Sequence, residues 1–166
     1  AQTISTLGWI RGGELQRAIE TLTSLIPIFR SGGFRLFEII GSAWSGEGYW
    51  RTGEYDKARQ IVEEALELAK QYECKYWIGY AHWLLGEIAL KTNPAQAGAR
   101  FERSIIVFQE IKSENSLAVA YAGYGRFHKH QGDIARARGY LTQALEIFER
   151  LGTLIEPDKV REELAG

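Results

Sequence analysis

Apolar residues recur every three or four positions through six stretches of this chain, a spacing that places side chains on one face of an α-helix. The stretches are residues 34–51, 55–72, 75–91, 94–111, 116–130 and 133–151. The second stretch shows the pattern most clearly, with an apolar stripe at Val62, Ala65, Leu66 and Ala69. Charged residues such as Glu63 and Glu64 lie on the other face. The pattern predicts six amphipathic helices joined by short turns.

The two-helix pattern returns at a period of 39 to 40 residues. A turn residue follows each first helix, at Gly13, Gly53, Asn93 and Gly132, and a small residue recurs in each second helix, at Ala18, Ala58, Ala97 and Ala137. A fixed period of this length is typical of stacked helical repeats. The predicted units within a single domain (residues 1–166) are a partial repeat at 1–33, repeats at 34–73, 74–113 and 114–153, and a capping helix at 154–166.

Residues at the helix ends agree with these boundaries. Gly53 and Gly132 stand where a first helix must stop, because glycine adopts the left-handed conformation without steric cost. We expect Asn93 to end the first helix of the third copy in the same way. Pro94 suits the first turn of the following helix, and Asp133 suits the positive N-terminal end of another.

Three further glycines lie inside first helices, where glycine costs about 1 kcal/mol relative to alanine. They are Gly46, Gly86 and Gly125, and they keep the same period. Recurrence at that cost predicts close approach of a neighbouring helix, with the alanine column of the second helices facing them.

These residues resemble the signature of the tetratricopeptide repeat family, a Trp-x2-Leu-Gly-x2-Tyr block followed by Ala-x3-Phe. The first block is matched by His82, Leu85 and Gly86 and by Tyr121, Tyr124 and Gly125, and the second by Ala97 and Phe101. The signature's tryptophan and closing proline are absent, and the unit is longer than the family's 34 residues. Longer units of this kind resemble those at the C-terminal ends of bacterial multidomain nucleotide cyclases with an NTPase module, and of helical-repeat transcription activators.

The resemblance implies an all-α fold, a right-handed α-α superhelix of helix-turn-helix repeats with a short C-terminal capping helix. In such folds the first helices line a concave groove. Carried onto this chain, the predicted groove stripe consists of Trp44, Glu47, Trp50, Arg51, Tyr80, Trp83, Glu87, Lys91, Arg126, Lys129 and His130. Its aromatic and mixed-charge composition suits peptide recognition.

Two structural explanations compete with ligand binding at this stripe. A cation at the last turn of a first helix, as at Arg51, Lys91 and His130, stabilises the helix dipole without any ligand. The tryptophans Trp44, Trp50 and Trp83 could equally be core residues between helices.

Composition limits the class of partner. The formal net charge is −1, so no bulk field attracts nucleic acid or anionic lipid. No apolar run approaches the roughly 20 residues of a membrane span, and no secretory signal is visible. With the single cysteine Cys74 ruling out an internal disulfide framework, we expect a cytoplasmic domain that binds neither nucleic acid nor membrane.

Catalytic and cofactor motifs are missing from the sequence. It contains no HExxH, phosphate-binding loop, GxSxG or CxxC pattern. His128 and His130 are two residues apart on a helix and point to different faces, which is poor geometry for a shared metal. We therefore predict no enzyme activity, no cofactor and no metal.

The expected function is a non-catalytic scaffold that binds a peptide or a neighbouring domain in the groove, as part of a larger bacterial signalling protein. The alternative is a sensor module whose aromatic residues bind a small molecule. The first copy starts part-way into its first helix, which leaves apolar Ile4, Leu7 and Ile10 without an upstream neighbour. We expect this open N-terminal face to pack against a second copy of the chain, which would give a homo-oligomer, or against another domain of a longer protein.

Overall fold

The computed structural model describes residues 15–153 and 156–166, and every regular element in those ranges is a helix. The helices are α1 (Leu15–Ser31), α2 (Arg35–Arg51), α3 (Tyr55–Gln71), α4 (Lys75–Thr92), α5 (Ala97–Glu110), α6 (Glu114–His130), α7 (Ile134–Leu151) and α8 (Glu156–Ala165). A short 3-10 turn, Pro94–Gln96, precedes α5. The prediction of an all-α helical repeat with a C-terminal helix is confirmed, and the predicted N-terminal face at Ile4, Leu7 and Ile10 lies outside the described residues.

The chain divides into two compact units, Ala1–Trp77 and Ile78–Gly166. Unit 1 contains α1, α2, α3 and the beginning of α4, and unit 2 contains the rest of α4 and α5 to α8. The assignment of all 166 residues to one domain stays a prediction, and each unit is described separately.

In unit 1, glycines on α2 allow both neighbouring helices to approach closely. A Cβ on Gly48 would lie 3.0 Å from Cδ1 of Ile19 on α1. A Cβ on Gly46 would collide with Val62 of α3 and would lie 3.5 Å from the carbonyl oxygen of Ala58. The close approach predicted at Gly46, with Ala58 facing it, is confirmed.

Unit 2 repeats this arrangement with larger partners. A Cβ on Gly86 of α4 would lie 2.8 Å from the ring of Phe101, which is fully buried on α5. On α6, a Cβ on Gly125 would lie 2.8 Å from Cγ of Leu141 and 3.2 Å from the carbonyl oxygen of Ala137, both on α7. The close approach predicted at Gly86 and Gly125 is therefore confirmed. Ala137 faces Gly125 as expected, whereas the atoms nearest to Gly86 belong to the Phe101 ring.

Of the predicted turns, those at Gly53 and Gly132 follow the sequence expectation, and the one at Gly13 lies outside the described residues. Gly53 and Gly132 have φ of +83° and +79°, and Asp133 caps α7 by accepting a hydrogen bond from the backbone N–H of Arg136 at 3.1 Å. The expectation for Asn93 was wrong, because its φ is −146°. Asn93 precedes Pro94, whose ring disfavours helical conformations at the preceding residue, so the turn forms with an extended backbone instead.

A cluster of rings joins α6 to α7 in the core of unit 2. The His128 ring stacks on Tyr140, with centroids 5.6 Å apart and an interplanar angle of 5°, and its centroid lies 4.5 Å from that of Tyr124. Tyr124 donates a 2.6 Å hydrogen bond to Glu102 of α5, and burial together with this bond raises the pKa of Tyr124. His128 is only 5% exposed, and its Nε2 has no hydrogen-bond partner within residues 15–153 and 156–166.

Burial lowers the pKa of His128, because the imidazolium would lose its hydration among these rings. Asp133 and Glu102 raise the pKa and Arg136 lowers it, but burial has the largest effect. The folded protein therefore holds His128 in its neutral form at neutral pH.

Overpacking at Gly125 should destabilise the fold. We expect Gly125→Leu to lower the free energy of unfolding by about 1–3 kcal/mol, since Leu141 and the Ala137 carbonyl occupy the space. Gly139→Leu is the matched control, because a Cβ there meets nothing within 4 Å, so the gain in helix propensity of up to about 1 kcal/mol should remain. Urea unfolding followed by circular dichroism measures both, and equal midpoints would contradict the close approach at Gly125.

Acidification should destabilise unit 2 through His128. Its folded pKa is below its unfolded value of 6.5, so the unfolded state binds the proton first as the pH falls. Stability should be full above about pH 6.5 and should fall below it, by at most about 1.4 kcal/mol per pH unit, until the folded pKa is passed. His128→Phe keeps a ring but cannot titrate, so its melting temperature should lose this component of the pH dependence. His130→Gln is the control at an exposed position, and an unchanged pH profile in His128→Phe would exclude His128 as the cause.

Candidate functional site

In unit 1 the groove stripe lies on α2, and three of its four side chains contact one another. Arg51 donates to Oε1 of Glu47 from both Nε, at 3.0 Å, and Nη2, at 2.6 Å. The same guanidinium lies over the Trp50 ring, 5.3 Å from its centroid. The structure therefore brings Glu47, Trp50 and Arg51 into one contact group at the end of α2. The Glu47–Arg51 pair is expected for side chains four residues apart on a helix.

Trp44, the fourth stripe residue of unit 1, is half-buried in an aromatic group that the sequence-based selection did not include. Its ring meets Trp77 edge to face, with centroids 6.1 Å apart, and Trp77 meets Tyr76 at 5.2 Å. Trp77 stands three residues before Tyr80 and 40 residues after Phe37, so the repeat period was the signal that could have identified it.

In unit 2, Tyr80 and Trp83 of α4 are partly buried and contact each other. Their ring centroids are 5.4 Å apart at an angle of 63°, and both side chains pack against the hydrophobic core of the unit. These two residues therefore combine a core contact with partial exposure. Trp83 is therefore neither a fully buried core residue nor a fully exposed groove residue.

The strongest electrostatic feature of unit 2 is a chain of ion pairs across three helices. Arg126 of α6 donates from Nη2 to Oε1 of Glu87 on α4, and from Nη1 to the two carboxylate oxygens of Glu163 on α8, at 3.1 and 3.4 Å. Lys129 donates to the backbone carbonyl oxygen of Glu163 at 3.0 Å. Glu87, Arg126 and Lys129 were all predicted in the stripe. Glu87 pairs directly with Arg126, and Glu163, which was assigned only to the cap, joins Arg126 to Lys129.

Burial and charge act in opposite directions on Arg126. Burial lowers the pKa of Arg126, but the adjacent carboxylates of Glu87 and Glu163 raise it above its ordinary value, so the guanidinium remains charged. The Glu87 side chain is only 5% exposed. Gly123 makes room for it, because a Cβ at that position would lie 2.9 Å from Oε1 of Glu87.

Two stripe residues are simply exposed. Lys91 and His130 lie in the last turns of α4 and α6, where a cation interacts favourably with the helix dipole. Their position agrees with the structural explanation raised above for this column.

A second buried ion pair, in unit 1, was missed by the sequence-based selection. Glu38 is 4% exposed on α2 and accepts from Nε of Arg30 at 2.6 Å and from Nη1 of Arg35 at 2.7 Å. Burial acts to raise the pKa of Glu38, but the two arginines hold it below its ordinary value. This pair ties the start of α2 to the end of α1.

Within residues 15–153 and 156–166, no group of three or more His, Cys, Asp or Glu side chains is placed to hold a metal ion. None of the helices in those ranges has the length and apolarity of a membrane span.

The chain is similar to known proteins both in sequence and in fold. Residues 45–72 match the family model of the tetratricopeptide repeat. Over 116 residues, 69% of its length, the chain is 32% identical to the regulatory protein AfsR of Streptomyces griseus, of which the match covers 12%. The crystal structure of BtubC (BKLC) from P. vanneervenii superposes with a TM-score of 0.75 at 19% identity, over 90% of this chain and 64% of that one, a likeness of fold alone. The chain thus spans less than two thirds of either protein.

Removing the central cation should leave a buried carboxylate without its partner. We expect Arg126→Met to lower the free energy of unfolding by about 2–3 kcal/mol, less than for a fully buried pair because the Arg126 side chain is 35% exposed. Glu87→Gln combined with Arg126→Met removes the uncompensated charge and should recover about half of the loss.

Glu163→Gln is the control for the outer pair, since Glu163 is more exposed than Glu87 and its loss should cost under about 1 kcal/mol. Denaturant unfolding of wild type, Arg126→Met, Glu87→Gln and the double variant forms a double-mutant cycle, and Glu163→Gln is measured beside it. Equal stability of the single and double variants would show that Glu87 does not depend on Arg126.

Proposed function

We propose that this chain, a tetratricopeptide-repeat protein, is a non-catalytic scaffold that binds a peptide or a neighbouring domain on the stripe of its first helices. Tetratricopeptide repeats generally mediate protein–protein interaction. The scaffold would act as part of a larger bacterial regulatory protein in the cytoplasm. The similarity to a regulatory protein of which the match is a small part supports that placement.

The observation that carries the proposal is the half-exposed state of the stripe aromatics. Trp44 in unit 1 and Tyr80 and Trp83 in unit 2 each contact another ring yet keep part of their surface accessible. Tryptophan, tyrosine and arginine are enriched among residues that dominate binding energy, because rigid rings bury large areas at low entropic cost. Held on helices, these rings are already ordered before a partner arrives, which reduces the cost of association.

A capture experiment with one substituted ring tests this function. Trp44→Ala should retain its helical circular dichroism and should lose a bacterial protein that wild type captures from an extract. The matched control is Leu151→Ala, an exposed apolar residue at the end of α7 outside the stripe, which should still capture that protein. Undiminished capture by Trp44→Ala would count against the stripe as the binding site.

Native mass spectrometry of the same purified proteins tests the sensor alternative. A small molecule bound by wild type and by Leu151→Ala, but absent from Trp44→Ala, would indicate that the protein is a sensor module and not a scaffold. The scaffold proposal expects no such bound molecule.

A further inference from the structure

The C-terminal helix α8 covers two residues of the stripe in unit 2. Its Glu163 carboxylate accepts from Nη1 of Arg126 at 3.1 and 3.4 Å, and the Glu163 carbonyl oxygen accepts from Nζ of Lys129 at 3.0 Å. Arg126 and Lys129 are three residues apart and share one face of α6. Three residues before Glu163, Val160 is 2% exposed and belongs to the hydrophobic core of the unit. A segment of the chain itself therefore occupies this part of the predicted binding stripe.

The charges at this contact balance only while α8 is docked. Glu87 and Glu163 offset the charges of Arg126 and Lys129, so the four groups together carry no net charge. Without Glu163 one positive charge remains, because Glu87 neutralises only one of the two cations. The Arg126 side chain is 35% exposed, so water screens its charge only in part. The surface beneath α8 therefore favours an occupant that supplies a carboxylate.

The contacts that hold α8 are few. Pro157 and Val160 are its buried residues. Its ion pairs to neighbouring helices, Glu163 with Arg126 and Arg161 with Glu149, are partly exposed, and exposed pairs stabilise weakly. A helix of ten residues is also too short to be stable without tertiary contacts. We therefore expect α8 to open locally more readily than the helices that form the core of unit 2.

We propose that α8 is a displaceable occupant of the stripe, and that the partner replaces it with a helical segment that carries an apolar side chain and, three positions later, a carboxylate. The inference rests on the scaffold function proposed above and adds the chemistry of the ligand and its competition with α8. The partner's apolar residue takes the place of Val160, and its carboxylate takes the place of Glu163 on Arg126. Because α8 is tethered, its effective concentration is high, and it lowers the apparent affinity for any competing segment.

The ligand class can be measured by selecting random peptides displayed on phage against the full chain carrying Glu163→Gln, in which α8 competes less. Enriched peptides should carry an acidic residue three positions after an apolar one. Fluorescence anisotropy of one such synthetic peptide gives its Kd. Replacing the acidic residue of the peptide by its amide should raise that Kd by about tenfold, since a hydrogen bond between charged groups is lost.

Competition by α8 predicts a direction of change that loss of a ligand contact does not. Glu163→Gln should lower the Kd of the peptide by about threefold relative to wild type, because the helix of the variant docks less tightly. A residue that contacted the ligand would raise the Kd when substituted. Glu162→Gln is the matched control, since it removes the same charge at the neighbouring exposed position. It should leave the Kd within about 1.5-fold of wild type.

Hydrogen exchange of the full wild-type chain, followed by mass spectrometry, measures the displacement itself. With saturating peptide, the backbone amides of α8 should exchange at least about fivefold faster than in the protein without peptide. The amides of α6 should exchange at the same rate or more slowly, because that helix holds either occupant.

The outcomes distinguish the inference from the proposed function. An equal Kd for wild type and Glu163→Gln, or unchanged exchange of α8 in the complex, would show that α8 is a fixed cap. Enriched peptides without a shared acidic residue would overturn the ligand class. Peptides that lose binding in Trp44→Ala and leave α8 docked would overturn the inference while the scaffold function stands. Failure to enrich any peptide would overturn the inference, and the capture experiment with Trp44→Ala then decides the scaffold function separately.

Discussion

The contact on which this structure depends is that between a glycine of each first helix and a large side chain of the helix that follows. In unit 1, Val62 packs against Gly46. In unit 2, Phe101 packs against Gly86 and Leu141 packs against Gly125. Glycine lowers the helix propensity at each of these positions, and the large side chain that the neighbouring helix buries against it offsets that loss. Because the contact fixes the rotation of each first helix, it also decides which residues remain on the opposite face. The stripe is thus a consequence of how the helices pack.

Charged residues on that face stabilise the fold through ion pairs with one another. Glu87 would be costly at 5% exposure if Arg126 did not neutralise it, and Arg126 in turn fastens the C-terminal helix through Glu163. In unit 1, Glu47 and Arg51 satisfy each other. A substitution at any of these positions therefore changes stability as well as surface charge. Under the proposed function, the ring faces that would meet a partner are the exposed ones, which contribute little to the core.

Most of the fold could be predicted from the sequence because its determinants are local and repeated. The apolar period, the glycine columns and the turn glycines each depend on a few neighbouring residues, and they recur at a fixed interval. The prediction was wrong at Asn93, where the constraint from Pro94 outweighed the turn preference of asparagine. That constraint was also local, and it was present in the sequence.

The side-chain pairs of the site could not be predicted in the same way. Glu87 and Arg126 were placed in the stripe by the period, but their ion pair joins residues 39 positions apart, and only the distance between two first helices decides whether the groups meet. Glu163, Glu38 and Trp77 escaped selection because each occupies an end of its helix or a position before the assumed start of the stripe. The repeat period predicts columns of residues, whereas contacts between columns depend on helix separation and side-chain length.

The net charge of −1 is a sum over the whole chain and does not describe the charge at either end of a helix. In unit 1, Glu47 and Arg51 balance each other at the end of α2, whereas Glu38 with its two arginines leaves one positive charge at the start. Pairing of this kind preserves helix-end electrostatics, which favour a carboxylate near the start and a cation near the end. It leaves the middle of the helix face without an unbalanced charge. Charged residues at both ends of α2 thus contribute to stability through contacts within unit 1, which are separate from the ring contact that Trp44 makes on the same helix.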